Sequence, residues 1–358
     1  MRLALALGER GRGNTWPNPA VGCVIVRDGR VVGRGWTKPG GIPHAETEAL
    51  AQAGPLSAGA TAYVTLEPCA HHGRTPPCAE ALVNAAVSRV VFAAGDPDPR
   101  VAGAGAKILE DAGISVESGV LEAEAERAHQ GFLKRINEGR PALSLKLATS
   151  FDGRIATATG ESQWITGPEA RRAVHAARAR HDAVLVGAGT ARADDPSLTV
   201  RGLGIAQQPV RIVASRRLDI PLTGKLASTA RDIPFWICHG DDADPDLKEA
   251  WTGLGAKLVP LPLVGRQLDT KALMQALGAE GLTSVFCEGG GAFAASLLDA
   301  GLVDRLIGFT AGISLGAEGQ PAIGALGLDR LELAQRFELQ DVRRIGADIE
   351  HRWIKSAP

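Results

Sequence analysis

Aromatic side chains are scarce in this chain, at 4% of 358 residues and with a single tyrosine. A protein that stacks nucleic-acid bases needs such rings, and one that grips a phosphate backbone needs positive charge. The charge is not there either: 39 lysines and arginines face 40 aspartates and glutamates, the formal net charge is −1, and no basic run occurs. Both shortages exclude wholesale nucleic-acid binding. No stretch approaches the ~18 uninterrupted apolar residues of a membrane span. The first ten residues are too short an apolar run, and too soon charged, for a secretory signal. Cysteine is limited to five, an odd and scattered count, which predicts reduced thiols and not a disulfide framework. A soluble cytoplasmic protein is expected. Hydrophobic residues reach 45%, enough at this length for about two domains, each with an aliphatic core.

What is present centres on His44-Ala45-Glu46, read together with Pro68-Cys69 and Cys78. An imidazole and two thiols can hold one Zn²⁺ and leave a fourth position open for water. Glu46, two residues past the histidine, is close enough to move protons to and from that water. Zinc deaminases use this set, with a non-ligating Glu as acid/base and the signature H-x-E…P-C-x-x-C. Here eight residues separate the thiols instead of two, so a loop is inserted between the ligands. The competing reading is a closed Cys₂His₂ site, with His71 or His72 as fourth ligand and no chemistry. Glu46 speaks against it, since a closed site has no use for a carboxylate beside the metal.

The pattern around these residues alternates strands and helices, which predicts a sheet covered on both faces. Residues 2–10 read as a helix, 20–26 and 31–36 as a hairpin turned at Asp28-Gly29, 44–53 as a helix, 61–66 as a strand, 78–86 as a helix and 89–94 as a strand. A helix over 105–112 and a strand over 114–117 follow. His44 and Glu46 thus fall in the first turn of one helix, and Cys78 opens another, where a thiol pKa is lowered. Residues 119–139 read as a charge-rich helix, most simply a solvated connector, and Gly139-Arg140-Pro141 ends it. The expected division is a domain over 1–118, a helical linker over 119–141 and a second domain over 142–358.

The second half again reads as α/β. Strands are predicted over 143–149, 182–186, 210–214, 235–238, 257–259 and 284–287. Helices are predicted over 168–181, 245–254, 270–277 and 293–300, and an antiparallel pair over 337–345 and 349–355 closes the chain. Two Gly-rich turns follow strands, at Gly187–Thr190 and at Glu288–Ala292. Glycines let a pyrophosphate approach the backbone, and a helix start supplies N–H groups, although such turns are often only tight connections. Lys146, on an otherwise apolar strand, is either capped by a carboxylate or faces a ligand.

The runs Thr15–Val26, Pro43–Glu46 and Leu66–Cys78 resemble the bifunctional riboflavin-biosynthesis deaminase/reductases, in which the eight-residue loop is the family's own spacing. Leu145–Gly153, Gly160–Thr166, Ala193–Arg201 and Glu288–Gly291 are similar to the reductase half of the same family. The resemblance spans nearly the whole chain. It implies an α/β protein with an N-terminal cytidine-deaminase-like αβα domain and a dihydrofolate-reductase-like domain after it. It also implies a diaminopyrimidinone ribosylamine 5′-phosphate as small-molecule substrate, Zn²⁺ in the first half and NADPH in the second. His44, Cys69 and Cys78 would hold the metal and Glu46 would be the acid/base. Asn18 and His71 would touch the substrate, while Thr37 stands where the family often has a histidine.

In the second half the resemblance implies NADPH contacts at Ala148, Trp164, Thr190, Asp194, Ser215 and along Gly290, Gly291, Ala292, Phe293, Ala294, Ala295 and Ser296. Substrate contacts fall on Ser162, Arg178, Leu198, Arg201 and Glu288. For Lys146, apart from the resemblance, its place on an apolar strand favours the ligand over the carboxylate cap. Arg178 and Arg201 suit a ribose phosphate, which an Arg fork grips in two places. Glu288, Lys146 or water would supply the proton in the reduction. Arg216 or Arg217, past the 210–214 strand, is expected to meet the 2′-phosphate of the cofactor. A homo-oligomer is expected, with no sequence signal that sets its stoichiometry.

Overall fold

The apolar start of the chain folds as helix α1 (Arg2–Gly8), and the hairpin as strands β1 (Gly22–Arg27) and β2 (Arg30–Trp36). Then come α2 (Ala45–Ala53), β3 (Thr61–Leu66), α3 (Cys78–Asn84), β4 (Arg89–Ala94), α4 (Ala104–Asp111), β5 (Ser115–Ser118) and α5 (Glu122–Glu138). The structure, a computed structural model, describes residues 1–73, 76–99 and 101–356. It divides into two units, one of Met1–Arg140 with Gly281–Thr283, the other of Pro141–Glu280 with the chain from Ser284 onward. Among the described residues no helix is long and apolar enough to cross a membrane.

The sheet of the first unit has the order β2-β1-β3-β4-β5. β1 is antiparallel to both neighbours, and β3, β4 and β5 run parallel. Period-two alternation sends successive side chains to opposite faces. Cys23 and Ile25 therefore pack with Ala45, Ala49 and Ala53 of α2, while Val24 meets Ala4 and Leu7 of α1. The small side chains of α2 let it lie close on the sheet.

The charge-rich helix α5 is not the solvated connector that its composition suggests. Ala125, His129 and Phe132 are buried, and Ala125 and Phe132 belong to the core under the first sheet. Their spacing of four and three residues is one helix face; the charges occupy the rest of the circumference. Buried His129 meets the Thr65 hydroxyl at 3.0 Å, and that oxygen accepts the Gly22 amide at 3.1 Å. Burial pushes the His129 pKa down to about 4, with Arg12 adding to the effect. An unfolded histidine binds its proton near pH 6.5. Between those two values the unfolded chain holds more protons, so stability falls as the pH falls. Acidification from pH 7.5 to 4 should cost the first unit up to ~3 kcal/mol through this one group. The check is the difference in urea midpoint between wild type and His129→Gln across that range. Parallel pH profiles for the two proteins would refute the assignment.

In the second unit the chain forms β6 (Ala142–Thr149), β7 (Arg154–Ala156), α6 (Pro168–Arg178), β8 (Ala183–Gly187), α7 (Ala188–Asp194) and β9 (Val210–Ala214). It continues through α8 (Lys225–Ser228), β10 (Phe235–Gly240), α9 (Pro245–Gly253), β11 (Lys257–Leu261) and the small ribbon β12 (Leu263–Val264) and β13 (Gln267–Leu268). Then follow α10 (Thr270–Ala279), β14 (Ser284–Cys287), α11 (Gly291–Asp299), β15 (Arg305–Thr310), β16 (Gln320–Pro321), β17 (Phe337–Ile345) and β18 (Asp348–Lys355). Nine strands make one sheet in the order β11-β10-β9-β8-β14-β6-β15-β18-β17. It is parallel from β11 to β15, and β18 and β17 add antiparallel at one edge. A separate β7–β16 pair is antiparallel.

Candidate active sites

Three donors in the first unit converge because two helices begin beside one turn. His44 is the residue before α2 and Cys78 is the first residue of α3. Cys69 lies in the turn after β3. Its sulfur accepts the Cys78 amide at 3.3 Å and its carbonyl accepts the Ala79 amide at 3.2 Å, so it takes up two of the donors a helix start leaves unpaired. His44 Nδ1 is 3.2 Å from Cys78 Sγ and 3.6 Å from Cys69 Sγ, and the three ligand atoms lie within 4.8 Å of one another. The hydrogen bond with the Cys78 thiol, then those with His44 and the Cys78 amide, hold the Cys69 thiol below its usual range against the effect of burial. One imidazole and two sulfurs, one of them favoured as thiolate, fit a zinc ion.

Glu46 sits two residues beyond His44 and is 4% exposed. Burial, and then the negative charge of Cys69, push its carboxyl up to about 7. A carboxyl poised there can both take and return a proton near neutrality. His44, Glu46 and Cys69 line a cavity of about 470 Å³, as do Asn18, His71 and Thr37. Asn18 Nδ2 donates to the Gly41 carbonyl at 3.0 Å, and the Thr37 hydroxyl accepts the Val21 amide at 3.0 Å. Arg74 and Thr75, within the inserted loop, lie outside the described residues.

Several lining residues escaped the sequence reading. Phe132, Arg135 and Ile136 come from α5, and Glu67, Asp96 and Asp98 from turns that follow strands. Burial, and the charges of Asp98 and Glu67, push the Asp96 carboxyl up to about 6. Glu67 accepts the Gly103 and Ala106 amides at 3.1 and 3.2 Å, which ties the turn carrying Cys69 to the start of α4. The apolar stripe of α5 was the available signal for its share of the wall.

In the second unit the residues gather at the carboxyl ends of parallel strands, where α/β sheets bind ligands. Register sets Leu145, Leu185 and Cys287 level on β6, β8 and β14. Lys146 and Glu288 therefore follow side by side. Glu288 is clamped by Arg178: Nε donates to Oε1, and Nη2 donates to Oε2 at 3.0 Å. Burial alone would raise the Glu288 pKa, but the Arg178 charge and hydrogen bonds hold it below the usual range. Burial lowers the Lys146 pKa; Glu288 and Asp194 oppose that shift, and Arg178 adds to it. Lys146 is half-buried by solvent exposure and has two carboxylates in its field. Arg178 Nη1 also donates to the Thr199 carbonyl at 2.8 Å, so its fork is closed on protein partners, unlike the exposed Arg201.

The Gly187–Thr190 stretch, read as a turn, starts helix α7 directly. This brings Thr190 against the second Gly-rich turn, where its hydroxyl donates to the Gly289 carbonyl at 3.4 Å. Gly290 has φ +97°, and a Cβ there would sit 2.9 Å from the Thr190 hydroxyl. Only glycine fits, and the resulting cradle ends at the first turn of α11, as a pyrophosphate requires. Within α11, Ala294 and Ala295 are buried in the core, whereas Ala292 is exposed and the Ser296 hydroxyl donates to the Phe293 carbonyl at 2.9 Å. Ala148 lies near the end of β6.

The remaining residues are more dispersed. Ser215, just past β9, is fully buried and donates to Asp219 at 3.1 Å. Arg216 pairs with Asp242 at 2.5 Å and donates to the Arg266 carbonyl, and Arg217 is exposed. Trp164 is 67% exposed and lies beneath the Arg171 guanidinium, 4.5 Å from the ring centre. Ser162 is half-buried and Leu198 fully buried.

Comparison with known proteins addresses both units. Residues 1–94 match the cytidine and deoxycytidylate deaminase zinc-binding region, and residues 141–350 match the RibD C-terminal domain. The riboflavin biosynthesis protein RibD of Escherichia coli K12 is 43% identical, over 98% of this chain and 96% of that protein. The solved structure of Acinetobacter baumannii RibD superposes with a TM-score of 0.88 at 41% identity, over 99% of this chain and 97% of that one. A Thermotoga maritima diaminohydroxyphosphoribosylaminopyrimidine deaminase/5-amino-6-(5-phosphoribosylamino)uracil reductase gives 0.86 at 30% identity, over 99% and 97%.

Proposed function

Since the chain belongs to the RibD family of bifunctional riboflavin-biosynthesis enzymes, we infer that its two sites perform that family's two steps in turn. The first is deamination of 2,5-diamino-6-ribosylamino-4(3H)-pyrimidinone 5′-phosphate, with zinc. The second is reduction of the ribosyl side chain by NADPH, giving 5-amino-6-ribitylaminouracil 5′-phosphate. The observation that carries the reading is the His44, Cys69 and Cys78 cluster with buried Glu46 beside it.

His44, Cys69 and Cys78 would hold the zinc, which when bound supplies a Lewis acid that makes water nucleophilic near neutral pH. Glu46 takes a proton from the attacking water and returns it to the departing ammonia. Asn18 and His71, on the same cavity wall, orient the pyrimidine. In the second unit the Gly290 cradle, the start of α11 and Thr190 would hold the dinucleotide, which supplies the hydride. Lys146, with its lowered pKa, stands as proton donor beside Glu288, and the Arg178–Glu288 clamp keeps both groups at the strand ends. Arg201, which is exposed, offers its fork to the substrate phosphate there.

A cytoplasmic location fits the five free cysteines. A homo-oligomer fits β17, an edge strand on which Leu339 and Val342 are each 53% exposed. The purified protein, given the diaminopyrimidinone phosphate, should release ammonia without NADPH and oxidise one NADPH per ammonia when it is added. NADPH oxidation with no release of ammonia would refute this order of steps.

A further inference from the structure

Beside the second site a short irregular segment is tied down at successive backbone groups. Residues 195–201 belong to no helix or strand, so side chains must satisfy the backbone where a ladder would do so elsewhere. Leu198 has φ +55°, a left-handed conformation that a bulky residue rarely adopts, and its side chain is buried in a core of this unit. The Thr199 carbonyl receives Arg178 Nη1 at 2.8 Å. Buried Val200 is held at both ends by one side chain: its amide donates to Gln208 Oε1 at 2.7 Å, and Gln208 Nε2 donates to its carbonyl at 3.3 Å. The same Nε2 reaches the Ile205 carbonyl at 3.5 Å. The Arg201 amide lies 3.2 Å from His175 Nδ1.

His175 and Arg178 are three residues apart on α6 and so lie on one face of it. Arg178 also clamps Glu288, which anchors this contact at the strand ends. His175 Nδ1 is 3.1 Å from the Thr199 carbonyl as well, but one ring nitrogen cannot donate and accept at once. Arg178 already supplies that carbonyl, so the ring is left to accept the Arg201 N–H. Burial, then the charges of Arg178 and Arg201, lower the His175 pKa and favour the neutral ring that this needs. A strained conformation persists only where its surroundings over-determine it; here Arg178, Gln208 and His175 reach in from outside the segment to do so. The side chain of Arg201 is exposed, and the direction in which it leaves the chain is set by this backbone. We propose that His175 and Gln208 are positioning residues of the reduction, which hold the 199–201 backbone and so aim the Arg201 fork at the substrate phosphate; this rests on the reductase reading above.

The test uses the full chain, NADPH and the deaminated pyrimidine ribosylamine phosphate, with its dephosphorylated counterpart as control. His175→Ala and Gln208→Ala should each raise KM for the phosphorylated substrate roughly three- to tenfold, the range of one lost hydrogen bond. The value of kcat should stay within a few-fold, and KM for NADPH and for the dephosphorylated substrate should not move. His175→Asn, whose side-chain oxygen accepts near the place of Nδ1, should recover part of the loss. In an Arg201→Ala background His175→Ala should add little, since it acts through that arginine. Independently of turnover, amide exchange over 199–201 should quicken in both alanine variants. Equal losses on both substrates, or on NADPH as well, would make the two side chains merely structural and overturn the proposal. So would additive effects of His175→Ala and Arg201→Ala, or unchanged exchange. A wild-type protein that oxidises no NADPH with the phosphorylated substrate would instead defeat the reductase reading, and the proposal with it.

Discussion

Cys69→Ser is expected to abolish ammonia release while reduction of already deaminated substrate continues at the wild-type rate. Serine keeps an acceptor near the Cys78 amide, which Cys69 Sγ receives at 3.3 Å, so the start of α3 stays capped and the fold stands. What serine lacks is an ionisable soft donor, and zinc sites built on thiolate lose affinity without it. With the metal goes a shift of roughly nine units in the acidity of water, far more than the remaining side chains can replace. Among the described residues, the three-donor metal cluster is confined to the first unit, so nothing in the second unit depends on it. Zinc per chain, ammonia release and NADPH oxidation, each measured on the variant and on chelator-treated wild type, settle the matter. If both activities vanish in a protein that is still folded, the two sites are not separate.

Glu46→Gln tests the other half of the first site. The amide keeps the size of the carboxylate but can neither take nor return a proton. Ammonia release should fall at least ~10²-fold, the low end of what general acid–base catalysis contributes. Zinc should stay at wild-type stoichiometry, because Glu46 is not one of the three converging donors. Glu46 is nearly fully buried, and burial raises its pKa; a neutral side chain there removes a buried charge, so stability should hold or rise. A variant that loses its zinc would make Glu46 a ligand and reverse the argument.

The first site was legible in the sequence because its chemistry is local. His44, Glu46 and Cys78 sit at helix starts, Cys69 follows a strand, and each context shows in a window of about ten residues. Strands bounded by turn residues were equally plain: the runs 61–66, 210–214 and 284–287 are β3, β9 and β14. Strand β15 was missed, although it lies between β6 and β18. Its run Arg305–Thr310 is split by Gly308, which weakens a strand pattern. The glycine is there for a neighbour that the sequence does not reveal, since a Cβ at 308 would lie 2.0 Å from the His351 ring.

Helix α5 misled in the opposite way. Its charges dominate a composition count, while the residues of it that are fully buried, Ala125, His129 and Phe132, are three. Arg178 and Glu288, 110 positions apart, both appeared as candidate ligand groups; that they hold each other is a property of the folded sheet alone.

Strand order in the two sheets also bears on how the protein is made. Every strand of the first sheet has been synthesised by Ser118, so that sheet can close while the rest is still being translated. The second sheet cannot. β6 ends at Thr149, and both of its partners come from the far end of the chain, β14 beginning at Ser284 and β15 at Arg305. At ~5–20 residues per second the gap lasts on the order of ten seconds. Throughout it Leu143 and Leu145, fully buried at the end, have no sheet to enter. A chain released early thus carries a completed first sheet joined to a bare apolar strand, a natural client for holdase chaperones. Ribosome speed between codons 150 and 310 becomes a determinant of yield.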